Sequence, residues 1–210
     1  MTAARDIPLL VIVDGPPASG KTTIANSLGA RLGLPVFSKD VIKDALFNVL
    51  GTGDRAWSRK IGSASVEAIL RLAQRELRSG RGVILESTFD PRFETARLQS
   101  IISDAPVIAV QVYCWAAVDV LVQRSLDRAA TGARHPGHVD QSDAGGLRTA
   151  LASNRWPPLD LAGATIRLDT TSFAHVQADS VASDIARIKA EAIASSKCGD
   201  PTDPRAPERE

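Results

Sequence analysis

The chain has few of the residues that build disulfide frameworks, metal clusters or broad interaction surfaces. It holds 2 cysteines, 1 methionine and an aromatic fraction of 4% in 210 residues. Cys114 ends an apolar run and Cys198 lies in a polar tail, a pattern typical of a reducing cytoplasm. The early apolar run Leu9–Val13 is too short for a signal-peptide core or a membrane span. We therefore expect a cytoplasmic protein that does not enter a membrane.

The charges of the chain nearly cancel. The formal net charge at pH 7 is +1, so no overall field attracts nucleic acid or a membrane surface. A basic stripe with interleaved aromatic residues is also missing, which argues against long polynucleotide substrates. The length is sufficient for one sizeable domain that buries a core.

What the sequence does contain is a series of apolar, β-branched runs that alternate with helical patterns. This alternation predicts an α/β fold, with a parallel sheet of about five strands and helices on both faces. Ligands in such sheets bind outside the carboxyl ends of the strands. The predicted strands are Leu9–Val13, Leu34–Ser38, Gly82–Ser87, Pro106–Trp115 and Ala164–Leu168.

The same patterns suggest how the chain is divided. We expect a polar lead at residues 1–6, an ordered domain at residues 7–194 and a disordered tail at residues 195–210. Within the domain, residues 54–60 are expected to be a polar connection, and residues 131–147 a mobile segment rather than part of the core.

Residues 15–22 join the first predicted strand to the first predicted helix. They read Gly15-x-x-x-x-Gly20-Lys21-Thr22, the phosphate-binding loop signature in its required context. The glycines let backbone N–H groups point inward as an anion nest at a helix N-terminus. Lys21 is predicted to reach the β- and γ-phosphates and Thr22 to place its hydroxyl on Mg²⁺. The other predicted nucleotide contacts are Pro16, Pro17, Ala18, Ser19 and Thr23.

Two carboxylates lie at the ends of predicted strands. Asp40 could orient an acceptor hydroxyl and accept its proton, or it could be a helix N-cap. Glu86 could hold Mg²⁺ through water, contact the acceptor, or be a strand-end carboxylate with a structural role. Thr88 could contact acceptor hydroxyls, and Asp90 is expected to cap the helix that Pro91 begins.

Arg124 and Arg128 lie four residues apart on a predicted helix and therefore share one face. Forked guanidinium donors suit the charge that spreads over a transferring phosphoryl group. A segment of about residues 119–147 could carry them as a lid that closes over the nucleotide. The alternative is a solvated basic face. Thr170 follows the fifth predicted strand and could flank the adenine or cap the last helix.

The predicted lid also contains Arg134 and the run His135-Pro136-Gly137-His138. The Pro-Gly pair predicts a turn rather than a helical metal face, so zinc is not expected. We interpret Arg134 and His138 as candidates for lid closure or acceptor contact, with a solvated loop as the alternative. His175 is expected to be structural, near the start of the last helix.

Taken together, these motifs resemble those of the small P-loop kinases. They are Gly15-x-x-x-x-Gly20-Lys21-Thr22, Ser38-Lys39-Asp40, Val83-Ile84-Leu85-Glu86, Arg124-x-x-x-Arg128 and Asp169-Thr170-Thr171. That family is often grouped with AAA-type ATP-binding proteins, and includes polynucleotide 5′-hydroxyl kinase domains, chloramphenicol phosphotransferase, gluconate kinase and zeta toxins. The resemblance covers about residues 7–192.

This resemblance implies phosphoryl transfer from ATP to a hydroxyl, with Mg²⁺. It places Lys21 and Thr22 on nucleotide and metal, Asp40 as the base-like residue, and Arg124 and Arg128 as lid arginines. The Glu at position 86 departs from the commoner Asp.

We expect the acceptor to be a small molecule such as a sugar, a nucleoside or an antibiotic. The alternatives are a nucleotide or nucleic-acid 5′-hydroxyl kinase, and a nucleotide-binding regulatory ATPase with little transfer activity. The Asn-Lys-x-Asp base-binding loop of GTPases is absent from the sequence.

Overall fold

The computed structural model describes residues 7–132, 134–139, 144–173, 176 and 178–198. Among these residues the strands are β1 (Leu9–Asp14), β2 (Val36–Ser38), β3 (Val83–Glu86), β4 (Ile108–Trp115) and β5 (Ala164–Asp169). The helices are α1 (Lys21–Leu32), α2 (Lys39–Leu50), α3 (Arg55–Arg78), α4 (Pro91–Ser103), α5 (Val118–Ala130), α6 (Ala144–Ala152) and α7 (Ala178–Cys198).

All five strands join one parallel sheet in the order β2-β3-β1-β4-β5. The α/β fold predicted from the sequence is therefore confirmed. The register brings the carboxyl ends of the strands level, since Ser38 and Val13 are both paired with Glu86, and Asp14 is paired with Tyr113. The loops that follow β1, β2, β3 and β4 consequently meet at one edge of the sheet.

Alternate residues of the strands pack against helices on opposite faces of the sheet. Val11 and Val13 belong to a core cluster shared with α1 and α7, whereas Leu10 and Ile12 belong to one shared with α3 and α4. Each of these four side chains is fully buried, which stabilises the fold by about 1.5–3 kcal/mol per side chain. Burial on both faces explains why β1 is apolar at successive positions.

The expectation of a polar connection at residues 54–60 is wrong. Helix α3 begins at Arg55, and its N-cap Asp54 accepts a hydrogen bond from the backbone N–H of Trp57 at 2.8 Å. Ser58 and Ile61 are buried, so the packed face of α3 already begins within the segment that was expected to be a connection. The polar appearance of the segment comes from its exposed face.

The segment at 131–147 also differs from the expectation. Gly137 and His138 are buried, and residues 144–152 form α6. At the other end, α7 continues to Cys198, past Ser195, where the tail was expected to begin. Residues 1–6 and 199–210 and His175 lie outside the described residues. Among the described helices, none has both the length and the apolarity that crossing a bilayer requires.

Candidate active site

The phosphate-binding loop owes its shape to three residues with positive φ. These angles are 141° at Gly15, 63° at Ala18 and 80° at Gly20. A Cβ at Gly15 would lie 2.0 Å from the carbonyl oxygen of Cys114, so only glycine fits between β1 and β4. The loop leads directly into the N-terminus of α1, where unpaired backbone N–H groups attract an anion.

Lys21 lies inside this loop. Its Nζ donates a hydrogen bond to the carbonyl oxygen of Pro16 at 2.7 Å. Burial lowers the pKa of Lys21, while the nearby carboxylates of Glu86 and Asp14 oppose that shift. A cation held in a buried loop of this kind interacts strongly with phosphate, because little water screens the charges.

Three oxygen-bearing side chains meet where the phosphate loop faces β2 and β3. The hydroxyl of Thr22 donates to Glu86 Oε1 at 3.3 Å, and the hydroxyl of Ser38 donates to Glu86 Oε2 at 2.5 Å. Hydroxyl and carboxylate oxygens are the ligands that Mg²⁺ prefers, usually completed by water and phosphate oxygens. The described residues contain no group of three or more His, Cys, Asp or Glu that could hold a metal, so an all-protein metal cage is not built there. The donors at Thr22 and Glu86 fit a magnesium ion carried by a nucleotide.

Asp40 lies in the first turn of α2, whose N-cap is Ser38, so its interpretation as a helix N-cap is wrong. Its carboxylate is 45% exposed and lies 3.4 Å from Lys39 Nζ and 3.4 Å from Arg134 Nη2. Burial of the carboxyl opposes ionisation, but the nearby cations, led by Lys39 and Arg134, lower the pKa of Asp40 to about 2. Asp40 is therefore ionised at any physiological pH. It can accept a hydrogen bond from a hydroxyl, but it is a weak base.

The polar contacts of His138 fix its protonation state. Its side chain is only 3% exposed, with Nε2 lying 2.6 Å from Asp44 Oδ1 and Nδ1 lying 2.8 Å from Arg134 Nη2. A guanidinium can only donate, so Nδ1 accepts from Arg134 and Nε2 carries the proton that Asp44 accepts. Burial and the Arg134 charge both lower the pKa of His138. A neutral His138 thus supports the arginine that contacts Asp40.

Residues 134–139, which we name the 134–139 turn, pack against Phe47 of α2. The His135 ring stacks on Phe47 at 5.2 Å between centroids, and the His138 ring meets it edge-on at 5.7 Å. A Cβ at Gly137 would lie 2.5 Å from Phe47 Cδ2, so the turn approaches the ring closely. This packing brings Arg134 and His138 to the site, whereas Arg148 forms an exposed ion pair with Asp119.

Helix α5 is tied to the loop that follows β5. Arg124 Nη2 donates to the carbonyl oxygens of Thr170 at 2.7 Å and Thr171 at 3.2 Å, and its guanidinium lies 4.5 Å from the centre of the Phe173 ring. Phe173 in turn covers Gly20, since a Cβ at Gly20 would lie 2.1 Å from its ring. Arg124 therefore reaches the neighbourhood of the phosphate loop, and Arg128 lies one helical turn further on.

Thr170 has a different role from the two that the sequence suggested. Its side chain is buried, and its hydroxyl contacts the carbonyl oxygens of Ser19 at 2.9 Å and Trp115 at 3.0 Å. It supports the phosphate loop from behind rather than facing an adenine. It does not cap the last helix either, because α7 begins at Ala178.

Among the residues that the structure describes, some buried polar atoms around this edge of the sheet have no hydrogen-bond partner. They are Ser19 Oγ in the phosphate loop, Ser87 Oγ after β3, and Arg124 Nη1 on α5. Buried polar groups are normally paired, so the three atoms point to a polar ligand that supplies their partners. A nucleotide bound across the phosphate loop and α5 has phosphate and sugar oxygens that can pair with these atoms.

The other predicted nucleotide contacts lie nearby. Pro16 and Pro17 lie in the phosphate loop, and Thr23 is exposed on the first turn of α1.

Sequence reasoning missed Asp14. Its carboxylate accepts a hydrogen bond from the backbone N–H of Phe89 at 3.1 Å, so it holds the loop after β3 against β1. Burial raises the pKa of Asp14 to about 6, although Lys21 and backbone N–H donors favour its ionised form. The sequence signal that could have identified Asp14 was an acidic residue at the end of an apolar strand.

Two other predictions concern the loop after β3. Asp90 caps α4 as expected, and Thr88 is half-buried beside it.

Comparison with known families places this site in context. A family model described as an AAA domain (AAA_33) matches residues 10–148, more than half of the chain. The chain belongs to this family. A crystal structure from Chloroflexus aurantiacus, provisionally described as that of a kinase, is 38% identical and superimposes with a TM-score of 0.80. That match covers 86% of this chain and 97% of the other, which places the chain in the family of the small P-loop kinases.

More distant structures share the fold alone. A gluconokinase from Sinorhizobium meliloti is 14% identical with a TM-score of 0.52, covering 93% of this chain and 99% of its own. Kti12 from Chaetomium thermophilum, solved with ADP-AlF3, is 19% identical with a TM-score of 0.59, and the match covers 85% of this chain and 98% of Kti12. An uncharacterized protein of Mycobacterium tuberculosis is 32% identical over 130 residues, which are 57% of this chain. The chain covers only 26% of that curated relative's length.

Proposed function

We propose that this AAA domain is an ATP-dependent phosphotransferase that moves the γ-phosphoryl group to a hydroxyl of a small molecule. The observation that carries the proposal is the position of Asp40. Its ionised carboxylate follows β2, next to the strand that ends in Glu86, and the charge of Lys21 in the phosphate loop acts on it. A hydroxyl that donates to Asp40 would face the phosphates held by that loop.

The proposed roles follow from this geometry. Lys21 and the backbone of residues 15–22 would hold the phosphates, and the oxygens of Thr22 and Glu86 would hold the Mg²⁺ that neutralises phosphate charge. Arg124 and Arg128 stabilise the charge that spreads over the transferring group. Arg134 and His138 lie at the acceptor side, next to Asp40. We propose residues 7–194 as the catalytic domain and residues 119–147 as its lid.

In the proposed reaction the acceptor oxygen forms a bond to the γ-phosphorus as the bond to the β–γ bridging oxygen breaks. ADP leaves with the bridging oxygen, and the hydroxyl proton passes to water past Asp40. With a pKa of about 2, Asp40 mainly orients the hydroxyl and accepts its hydrogen bond. This role suits a loose transition state, in which the acceptor is deprotonated late.

The first prediction tests this assignment with Asp40→Asn, which keeps the shape and removes the charge. Acceptors are first found by screening hydroxylated metabolites, nucleosides and antibiotics for ATP-dependent phosphorylation. We expect transfer to fall by about 100-fold or more, because an acceptor hydroxyl that is no longer held in line with the γ-phosphate typically loses about that much rate. Calorimetry should show nearly unchanged MgATP affinity. Asp184→Asn, an exposed substitution on α7, is the matched control.

Full transfer activity in Asp40→Asn would refute the role of Asp40. A screen in which only 5′-hydroxyls of nucleosides or nucleic acid react would favour a nucleotide or nucleic-acid kinase. ATP hydrolysis that no acceptor accelerates would favour the regulatory ATPase.

A further inference from the structure

A second concave site lies next to the phosphate loop, on the face of the sheet that packs against α3 and α4. It has a volume of about 180 Å³ and opens between the end of β4, α5 and the segment after α6. Its aromatic walls are Tyr113, Trp115 and Trp156, and Pro16 of the phosphate loop forms part of its floor. A cavity of about 150 Å³ lined by apolar groups can hold benzene, so this cleft has room for one six-membered ring.

The outer wall of the cleft is held in place. Helix α6 ends in a turn in which Asn154 has φ of 49° and the backbone N–H of Arg155 donates to the carbonyl oxygen of Ala150 at 3.1 Å. This turn brings Trp156 back toward the sheet, where its carbonyl oxygen accepts a hydrogen bond from the Tyr113 hydroxyl at 2.7 Å. Trp115 remains 39% exposed at the mouth. The site is therefore formed before any ligand arrives, which reduces the cost of binding.

The charged side chains that line the cleft are both positive. Arg155 and Arg167 lie in its lining with their guanidinium groups over the Trp156 and Tyr113 rings, at 5.3 and 5.8 Å from the ring centres. The lining residues include no carboxylate, and within the described part of the chain neither arginine forms an ion pair. Two cations beside an aromatic slot whose lining contains no carboxylate favour an anion attached to a flat ring.

The position of the cleft connects it with the proposed transfer reaction. Pro16 belongs to both the cleft and the loop that holds Lys21. Arg92 lowers the pKa of Asp90, after β3, and the charge of Arg155 adds a smaller effect in the same direction. Arg124 of α5 and Phe173, in the loop after β5, flank the phosphate loop, and neither lines this cleft. The cleft thus lies apart from the α5 and β5 contacts that we assign to the nucleotide.

We propose that this cleft binds the ring and the negative group of the acceptor, which is therefore a monocyclic aromatic anion carrying an alcohol. The proposal rests on the phosphotransferase function above, but binding to the cleft can be measured without ATP. The ring stacks between the Trp115 and Trp156 side chains, Arg155 and Arg167 hold the anionic group, and the alcohol is left facing the phosphate loop.

The test uses para-(hydroxymethyl)benzoate as the probe and three matched compounds. Benzyl alcohol lacks the charge, para-(hydroxymethyl)benzylamine reverses it, and hydroxymethylcyclohexanecarboxylate lacks the aromatic ring. Binding is followed through the indole N–H signals of the 3 tryptophans in ¹⁵N-labelled protein. Trp57 serves as an internal reference, because it lies in the first turn of α3, does not line the cleft, and its indole N–H donates to the carbonyl oxygen of Gly51 at the end of α2.

We expect the benzoate to shift the Trp115 and Trp156 signals and to leave the Trp57 signal in place. Affinity for the benzoate should exceed that for each matched compound. In Arg155→Gln or Arg167→Gln it should weaken by about tenfold or more, the typical loss when a charge-assisted hydrogen bond is removed. Arg187→Gln on α7 is the matched control and should not change the affinity.

Equal affinity for the benzylamine, shifts at all three tryptophans, or no shift at Trp115 and Trp156 would each overturn the inference. ATP-dependent phosphorylation of the benzoate is measured separately. If the benzoate binds specifically but no hydroxyl is phosphorylated, the cleft is a binding site for aromatic anions and the proposed phosphotransferase function is refuted. Transfer to neutral, non-aromatic alcohols without cleft binding would retain the phosphotransferase and refute the inference.

Discussion

At the scale of single residues, two carboxylates near the phosphate loop, Asp14 at the end of β1 and Asp40 in the first turn of α2, have opposite pKa shifts. Cations around Asp40 outweigh its burial and lower its pKa to about 2, whereas burial of Asp14 dominates and raises its pKa to about 6. Asp40 is thus suited to accept a hydrogen bond at all pH values of interest. Asp14 carries a charge at neutral pH that its surroundings do not favour.

We predict that Asp14→Asn raises stability at neutral pH. A raised pKa means that the stability contributed by the protonated carboxyl is present below the ordinary value of 3.8 and lost as the pH rises through about 6. Asn keeps the oxygen that accepts from Phe89 and does not ionise. The gain above pH 7 should approach about 3 kcal/mol and vanish below pH 4. Thermal melts across this range measure it, with Asp184→Asn as the control. A constant difference at all pH values would contradict the explanation.

At the scale of elements, the 134–139 turn and α2 act as one unit. His138 donates to Asp44, accepts from Arg134 and packs on Phe47, and Arg134 extends the contact to Asp40. Phe47 is the centre of this packing, with both histidine rings and Gly137 against it. The charged groups facing His138 are Asp40, Lys43 and Asp44 from α2, and Arg134 from the turn itself.

We predict that this contact depends on pH through His138. Its lowered pKa means that the stability it contributes is complete above the ordinary histidine pKa of about 6.5, and is lost as the pH falls through the lowered value. His138→Asn can still accept from Arg134 and does not titrate, so it should lose the part of the pH dependence that His138 contributes and keep the part that comes from Asp14. Thermal melts from pH 7.5 downward compare it with the parent protein. His135→Asn, which keeps the Arg134–His138 contact, should retain the pH dependence.

Nitrogen-detected NMR provides the direct check. The structure requires the neutral tautomer of His138 with the proton on Nε2, and an Nδ1-protonated ring at pH 7.5 would contradict it.

At the scale of the whole molecule, the sheet brings together loops that are far apart in sequence. The phosphate loop follows β1, Asp40 follows β2, Ser87 follows β3, and Thr170 follows β5. Thr170 contacts the phosphate loop through Ser19, so a nucleotide at the loop would engage both halves of the chain. Binding there should therefore stabilise the domain as a unit.

We predict that MgATP raises the melting temperature. At about 100 times the dissociation constant, a ligand of the folded state adds about 2.7 kcal/mol. A chain of this size gains roughly 2–4 °C per kcal/mol, so the expected rise is about 5–10 °C. Lys21→Met should abolish most of the rise, and chelation of Mg²⁺ should reduce it. Lys60→Met, on the exposed face of α3, should keep it. An unchanged melting temperature with MgATP in the parent protein would refute nucleotide binding.

The sequence by itself determined the local features that short-range physics controls. Apolar runs buried on both faces identified the strands, and the glycine spacing of residues 15–22 identified the phosphate loop and its Lys21. The tertiary structure alone decided which distant groups meet. It brought His138 to Asp44, buried Thr170 behind Ser19, and closed the aromatic cleft of Trp115 and Trp156. The reason is physical: periodicity and turn chemistry act over a few residues, whereas these contacts depend on strand order and packing across the whole sheet.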